Sequence, residues 1–305
     1  MTDPDPDKLW ADLEKIGNSE CIQRLHNLYS GTDKPKIRQR ILTMLNKLED
    51  NTHFDDVENY FLSDEDSQVR IEAAKLLAFN YDKARAIRPL IWVFENFENE
   101  PEEQIRITAL RLLVALAYKK EFRNLIIETL NKLLRGHDDK LKQEAIESLG
   151  ILKEPSANSC LRELLNSPKL SVRARAIKAL GEIGNKEMAP DIIKNLGHEG
   201  SDIWSISFEA LKKMLNGNIF ETLVKTLQVA EQKPKDRESA SLRRGIIRAL
   251  GKLNDPKATK ILIHSLEDEF YWVRWEAIEA LDRINPKWKE EHKELQYKYS
   301  LDIKK

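Results

Sequence analysis

Histidine and cysteine are the residues best suited to nucleophilic or metal chemistry, and this 305-residue chain holds only 6 His and 2 Cys. The histidines, His26, His53, His137, His198, His264 and His292, are scattered along the chain, and Cys21 and Cys160 lie far apart. There is no CxxC pair, no G-x-S-x-G elbow and no glycine-rich phosphate loop. Carboxylates are plentiful, but they fall on amphipathic segments whose polar faces need solvent in any case. The sequence leads us to expect no catalytic constellation, no cofactor and no metal site.

Two stretches carry the chemistry of recognition instead. Arg237, Arg243, Arg244, Arg248 and Lys252 form a basic cluster, either a solvated face or a site for an acidic segment or phosphate, since guanidinium groups pair with carboxylates and phosphates through forked hydrogen bonds. Shortly after it, "EFYWVRWEAIEAL" (269–281) gathers Phe270, Tyr271, Trp272 and Trp275 in a chain of only 6 Trp. Trp and Tyr are the usual anchors of protein interfaces. A terminal cap is the other reading of these rings, with Trp288, Leu295, Tyr297 and Tyr299 of the tail folding back over them.

Composition bounds what could position such groups. Charged residues make up 33% and apolar residues 41%, with Gly and Pro at 11 each, which describes a helix-rich folded chain. Net charge is −1, which argues against nucleic acid as the partner. The charge is uneven: residues 1–100 hold 13 Lys/Arg against 20 Asp/Glu, and residues 101–305 hold 37 against 31. Two cysteines do not make a disulfide framework. The acidic start "MTDPDPDKLW" lacks a signal pattern, and no apolar run is long enough to span a bilayer. The expected location is cytoplasmic, without a membrane.

The elements themselves come from an internal repeat. Its clearest copy is "SVRARAIKALGEIG" (171–184), and the apolar anchors of successive copies are Ile37, Val69, Ile105, Leu141, Val172, Ile203, Leu242 and Val273. Within a copy the apolar residues recur at helical spacing, as in Val172, Ala176, Ile177 and Leu180. Small residues at Ala73, Ala145, Ala176 and Ala277 allow a neighbouring helix to approach. A second amphipathic segment lies between copies, with Pro89 and Pro190 expected to bend it. The spacing predicts an all-α chain: an α-solenoid of about eight two-helix repeats over residues 19–284, a cap segment at 1–18 and a cap helix or tail at 285–305.

The motif D-x-x-x-V-R-x-x-A-x-x-A-L-G-x-I, seen around Asp66, Val69, Arg70 and Ala73 and again from Val172 to Ile183, resembles the HEAT-repeat family, in particular the HEAT-like repeats of phycobilisome lyases. The resemblance implies a right-handed superhelix whose second helices line a concave face. It also implies a ladder in which the Arg after each anchor pairs with an acid of an adjacent turn, with Asp64, Asp66, Asp138, Asp139, Asp236 and Asp268 placed for it. Trp204 breaks that ladder, so the stack should be altered at the sixth copy, with the indole filling the space of the lost ion pair or serving as a binding anchor. HEAT-like deoxyhypusine hydroxylases bind two irons through several His-Glu pairs, whereas this chain has one, His198-Glu199. The expected function is a non-enzymatic scaffold that binds a protein or peptide along the concave face. Ile71, Ile107, Ile206, Trp272 and Trp275 are the expected apolar anchors, Arg111, Arg175, Lys178, Arg244 and Arg248 the charge selectors, and Trp204 a further contact. A lyase or chaperone-like subunit acting on a chromophore-bearing protein, and a DNA-binding HEAT-like protein, are the alternatives.

Overall fold

The repeat spacing sets helix length, and local capping sets where each helix starts. In the computed structural model, residues 5–12, 16–97, 100–198, 201–232 and 236–293 are described. Among them are 18 α-helices and no strand. After α1 (Pro6–Ala11), the helices form eight successive pairs. These are α2 (Asn18–Ser30) with α3 (Pro35–Lys47), α4 (Phe54–Ser63) with α5 (Ser67–Asn80), α6 (Lys83–Asn96) with α7 (Glu100–Leu116), and α8 (Lys120–Arg135) with α9 (Asp139–Ile151). They continue as α10 (Asn158–Leu164) with α11 (Leu170–Ile183), α12 (Ala189–Lys194) with α13 (Ser201–Leu215), α14 (Ile219–Glu231) with α15 (Arg237–Leu253), and α16 (Thr259–Ser265) with α17 (Tyr271–Ile284). A short α18 (Trp288–Glu291) follows. The fold is an all-α solenoid of HEAT-like repeats. None of these helices is long and apolar enough to cross a membrane.

Contacts group the chain into two compact units, Met1–Ser148 and Leu149–Lys305. In the first, α5 packs beside both α3 and α7, the second helices of neighbouring repeats. In the second, α11 packs beside α13, and α15 beside α17. Ala73, Ala176 and Ala277 are fully buried at these seams, as the repeat pattern requires. The "LG" pair of the repeat has a steric reason: a Cβ on Gly251 would meet the Cβ of Ala280 at 2.6 Å. Any side chain there would push α15 and α17 apart.

Asp66 shows how the helices start. Its side chain accepts from the backbone N–H groups of Gln68 and Val69, satisfying donors that the first turn leaves free. In the second unit, three first helices are preceded by short 3-10 turns, Pro155–Ala157, Lys186–Met188 and Pro256–Ala258, capped by Glu154, Asn185 and Asp255. Here the two prolines part company. Pro89 lies inside the continuous helix α6, whereas Pro190 falls in the first turn of α12, where its missing N–H costs no helical bond.

Trp288 closes the described aromatic residues of the second unit as a packed side chain. It is 2% exposed, and its indole N–H donates to Asp282 at 2.7 Å. Leu295, Tyr297 and Tyr299, expected to cover the aromatic run, lie outside the described residues.

Candidate functional site

The Arg after the anchor forms carboxylate rungs, as the resemblance implies, in four of the eight copies. Arg38 pairs with Asp64 at 2.8 Å and Arg106 with Asp138 at 3.0 Å. Arg243, buried, grips Asp268 at 2.6 and 3.1 Å. Glu102, not anticipated from the sequence, meets Arg70 at 3.7 Å, while the Phe97 ring lies 4.1 Å from the same guanidinium. Asp66 and Asp236 serve instead as helix caps. Arg274 turns to main-chain oxygens, those of Asp268 and Glu269, at 2.8 and 3.0 Å. At the carboxylate-paired rungs a guanidinium taken from water has an acid beside it, which is the condition for burying it.

Among the described residues, two consecutive rungs besides that of Arg274 also lack a carboxylate pair. Opposite Arg173 stands His198, and the guanidinium donates to its Nε2 at 2.9 Å. That bond makes Nε2 the acceptor, so the neutral ring carries its proton on Nδ1. Burial, reinforced by the Arg173 charge, holds His198 below its ordinary pKa. At the next rung Trp204 replaces the Arg. It is 6% exposed and its indole N–H donates to the Gly245 carbonyl at 3.0 Å.

The stack changes shape there. The 3-10 turn Asn195–Gly197 packs against α15, and α13 and α15 are not laid side by side as α11 and α13 are. Gly245 makes this possible, because a Cβ on it would sit 2.0 Å from the Leu196 carbonyl oxygen. Trp204 spans the gap, stacked on Phe208 with ring centroids 5.3 Å apart and with Arg248 4.3 Å from its ring.

The gap is a cavity of about 380 Å³ lined by residues of α13, α15, α17 and the Asn195–His198 segment. Its cations are Arg237, Arg244 and Arg248, on one face of α15 at helical spacing. Trp204, Tyr271 and Trp272 line it too, together with His198 and Ser241, and no carboxylate is among the described lining residues. Arg244 is answered from outside by Glu276 at 3.1 Å. Such a site can hold an anion by forked guanidinium hydrogen bonds and shelter an apolar neighbour against its rings.

The expected contact residues divide around this cavity. Trp204, Arg244, Arg248 and Trp272 line it. Trp275 is 46% exposed and Tyr271 is 64% exposed. Lys178 and Ile206 belong to a separate apolar groove of about 770 Å³ between α11 and α13, flanked by the Lys213–Glu182 pair and by Lys212 paired with Glu209 at 3.2 Å. Arg175 is half-buried on α11. In the first unit Arg111 is exposed but engaged by Glu144 at 2.8 Å.

Ile71 and Ile107 correct the expectation that they present apolar surface. They are 6% and 9% exposed, drawn into the seams between helices, because the +2 row turns inward where α5 and α7 pack. Trp204, buried, takes the space-filling part of its two readings and walls the cavity rather than protruding as an anchor. Tyr271 belongs to the aromatic run that the sequence singled out, whereas sequence reasoning missed His198 and Ser241 as members of the site. The departure of His198 from the acid expected at its rung was the available signal.

A second polar cluster lies in the first unit. Asp50, buried, accepts from Tyr81 at 2.6 Å, from the Thr52 hydroxyl at 3.0 Å and bonds His26 at 2.9 Å. Burial works to raise the Asp50 carboxyl, but these bonds outweigh it and hold it well below the usual carboxylate range. His26, Asp50 and His53 bring three ligand types close together. The two imidazoles, however, stack at 4.1 Å and 25°, so their in-plane lone pairs run alongside one another. A metal needs them to converge. The cluster reads as a hydrogen-bonded core network. Cys21 is fully buried, and burial pushes its thiol up, away from the nucleophilic thiolate.

The family model for HEAT repeats matches residues 127–212 and 226–296, just over half of the chain. The chain belongs to the HEAT-repeat family. Its structure is similar to Kap95p, seen in work on its binding to RanGDP, with 10% identity and a TM-score of 0.60 over 87% of this chain and 40% of that one. At that identity the likeness speaks for the fold. Weaker similarity extends to the CpcE–CpcF complex of phycocyanin lyase from Nostoc, with 21% identity and a TM-score of 0.42 over 76% of this chain and 88% of that one. It extends also to human deoxyhypusine hydroxylase in complex with glycerol, with 20% identity and a TM-score of 0.37 over 90% and 99%. No curated protein matches the sequence.

Proposed function

We propose that this chain is a non-enzymatic protein-binding scaffold and that its second unit grips an acidic segment of a protein partner in the arginine-lined cavity over α15. The observation that carries this reading is the composition of the lining among the described residues: three guanidiniums, three aromatic rings and no carboxylate, in a chain whose net charge is −1. A charged cavity steers an oppositely charged segment and selects it from neutral ones. The neighbouring groove between α11 and α13, lined by Ile206 and Ala210 together with charges of both signs, supplies apolar contact for residues beside the acidic segment. Glu182, Glu209 and Glu276 interrupt the basic surface, which argues for a protein segment over the long polyanion of a nucleic acid.

Affinity capture with the wild type and with an Arg237→Gln/Arg248→Gln variant tests this, once equal melting of the two is verified. A captured protein, purified and titrated, should bind the variant about tenfold or more weakly, a loss of about 1.4 kcal/mol. Equal affinity of every captured protein for both forms would defeat the reading.

A further inference from the structure

We infer that the residue this cavity is built to hold is a phosphorylated serine or threonine of the partner, a claim that rests on the protein-binding reading above. The argument is one of charge and oxygen count. Of the three guanidiniums in the lining, only Arg244 has an acid beside it among the described residues, Glu276. Arg248 leans on the face of the Trp204 indole, a contact that leaves its in-plane N–H groups available. Arg237, exposed in the first turn of α15, has no ion pair among the described residues. Among the described residues the site therefore presents two cations without an ion pair, beside Ser241 and a neutral His198 whose proton lies on Nδ1.

A single carboxylate satisfies one guanidinium. A phosphate monoester brings a charge near −2 and three acceptor oxygens, so it can answer both arginines and a hydroxyl or imidazole donor together.

The surroundings favour a single isolated phosphate. A nucleic acid strand carries a charge every ~3.4 Å and would need a continuing basic track. Here the next second helices carry Glu182 and Glu209 on one side and Glu276 on the other. The aromatic members, Tyr271 and Trp272, with ring centroids 5.2 Å apart, provide apolar surface for the residues that flank the phosphate.

Arg173 has a positioning part in this site. With a buried Nε that has no hydrogen-bond partner among the described residues and an Nη1 that donates to His198, it holds the imidazole in one tautomer and adds a further positive charge beside it.

The test uses the full chain and three immobilised probes: a peptide library with a fixed phosphoserine, the same library with serine, and the same library with glutamate. Soluble inorganic phosphate and a single-stranded oligonucleotide serve as competitors. The expected result is at least tenfold tighter binding of the phosphoserine library than of the serine library. That preference should be lost in Arg237→Gln and in Arg248→Gln but kept in Lys252→Gln, which makes the same charge change outside the lining. If the glutamate library binds as tightly as the phosphoserine one and is lost in the same variants, the phosphate claim fails while the acidic-segment reading stands. If no library depends on Arg237 or Arg248, both fail. Inorganic phosphate that binds as tightly as the phosphopeptides would overturn the partner as the source, and tighter binding of the oligonucleotide than of any peptide would overturn the peptide class.

Discussion

The indole N–H of Trp204 donates to the main-chain carbonyl of Gly245 at 3.0 Å, tying α13 to α15 where their backbones have parted. One side chain thus replaces a rung of the arginine ladder and walls the cavity. Trp204→Phe should keep the ring but lose this bond, at about 1 kcal/mol. Trp204→Ala should cost about 3–5 kcal/mol through the void it leaves. Chemical denaturation of the two variants checks the order, and equal losses would show that the hydrogen bond is immaterial.

Gly245→Ala should be worse than helix propensity suggests. Alanine is favoured over glycine inside a helix by about 1 kcal/mol, yet the added Cβ would lie 2.0 Å from the Leu196 carbonyl oxygen. We expect a net loss of about 2 kcal/mol or more, read as a lower melting temperature. A stabilised variant would mean that the 3-10 turn does not press on α15 as described.

The ladder itself makes a prediction at its most buried rung. Asp268→Asn leaves the Arg243 guanidinium, 4% exposed at the side chain, without its countercharge. Removing one partner of a buried pair costs about 3–5 kcal/mol. The exposed pair of Arg111 and Glu144 should matter far less, and Glu144→Gln is expected within about 1 kcal/mol of wild type.

Acid should weaken the first unit through Asp50. Its folded pKa is depressed below the unfolded value of 3.8. The stabilisation is therefore complete above that value and is lost as pH falls below it toward the folded pKa. Unfolding measured from neutral pH down to strong acid should show this slope in the wild type, and Asp50→Asn should flatten it. An unchanged slope in the variant would move the acid sensitivity elsewhere.

His198 gives a local reporter of the cavity. Burial and the Arg173 charge lower its pKa from 6.5, so its imidazole should titrate below that value by NMR. Arg173→Gln should raise the midpoint part of the way back, since the burial contribution remains. A midpoint that does not move would show that the guanidinium does not face the ring.

The fold was legible because its signals repeat. Eight apolar anchors at near-constant spacing specify helix pairs, and the small residues Ala73, Ala176 and Ala277 mark the faces that meet. Ladder partners were partly legible: Asp64, Asp138 and Asp268 pair as expected, while Asp66 was taken by its own helix as a cap, because an Asp just before a first turn serves both roles equally well. The site was readable only as departures. Trp204 announced a break, but that the break would open into a space shared with Tyr271 and His198 depends on the turn at Asn195–Gly197 pressing on Gly245, a contact between distant residues with no local signature. For the same reason Ile71 and Ile107 looked outward in the repeat and lie buried in the seams.

The central claim is that the Arg237, Arg244 and Arg248 face of α15 selects an acidic segment. Its most direct test is the retention of an acidic and a basic random peptide library by the wild type and by Arg237→Gln/Arg248→Gln at rising salt. The account predicts that the wild type keeps the acidic library, with binding that weakens as salt screens the charges, and that the double variant releases it at about a tenth of the affinity. Equal retention of the acidic library by both proteins, or preference for the basic one, would contradict it.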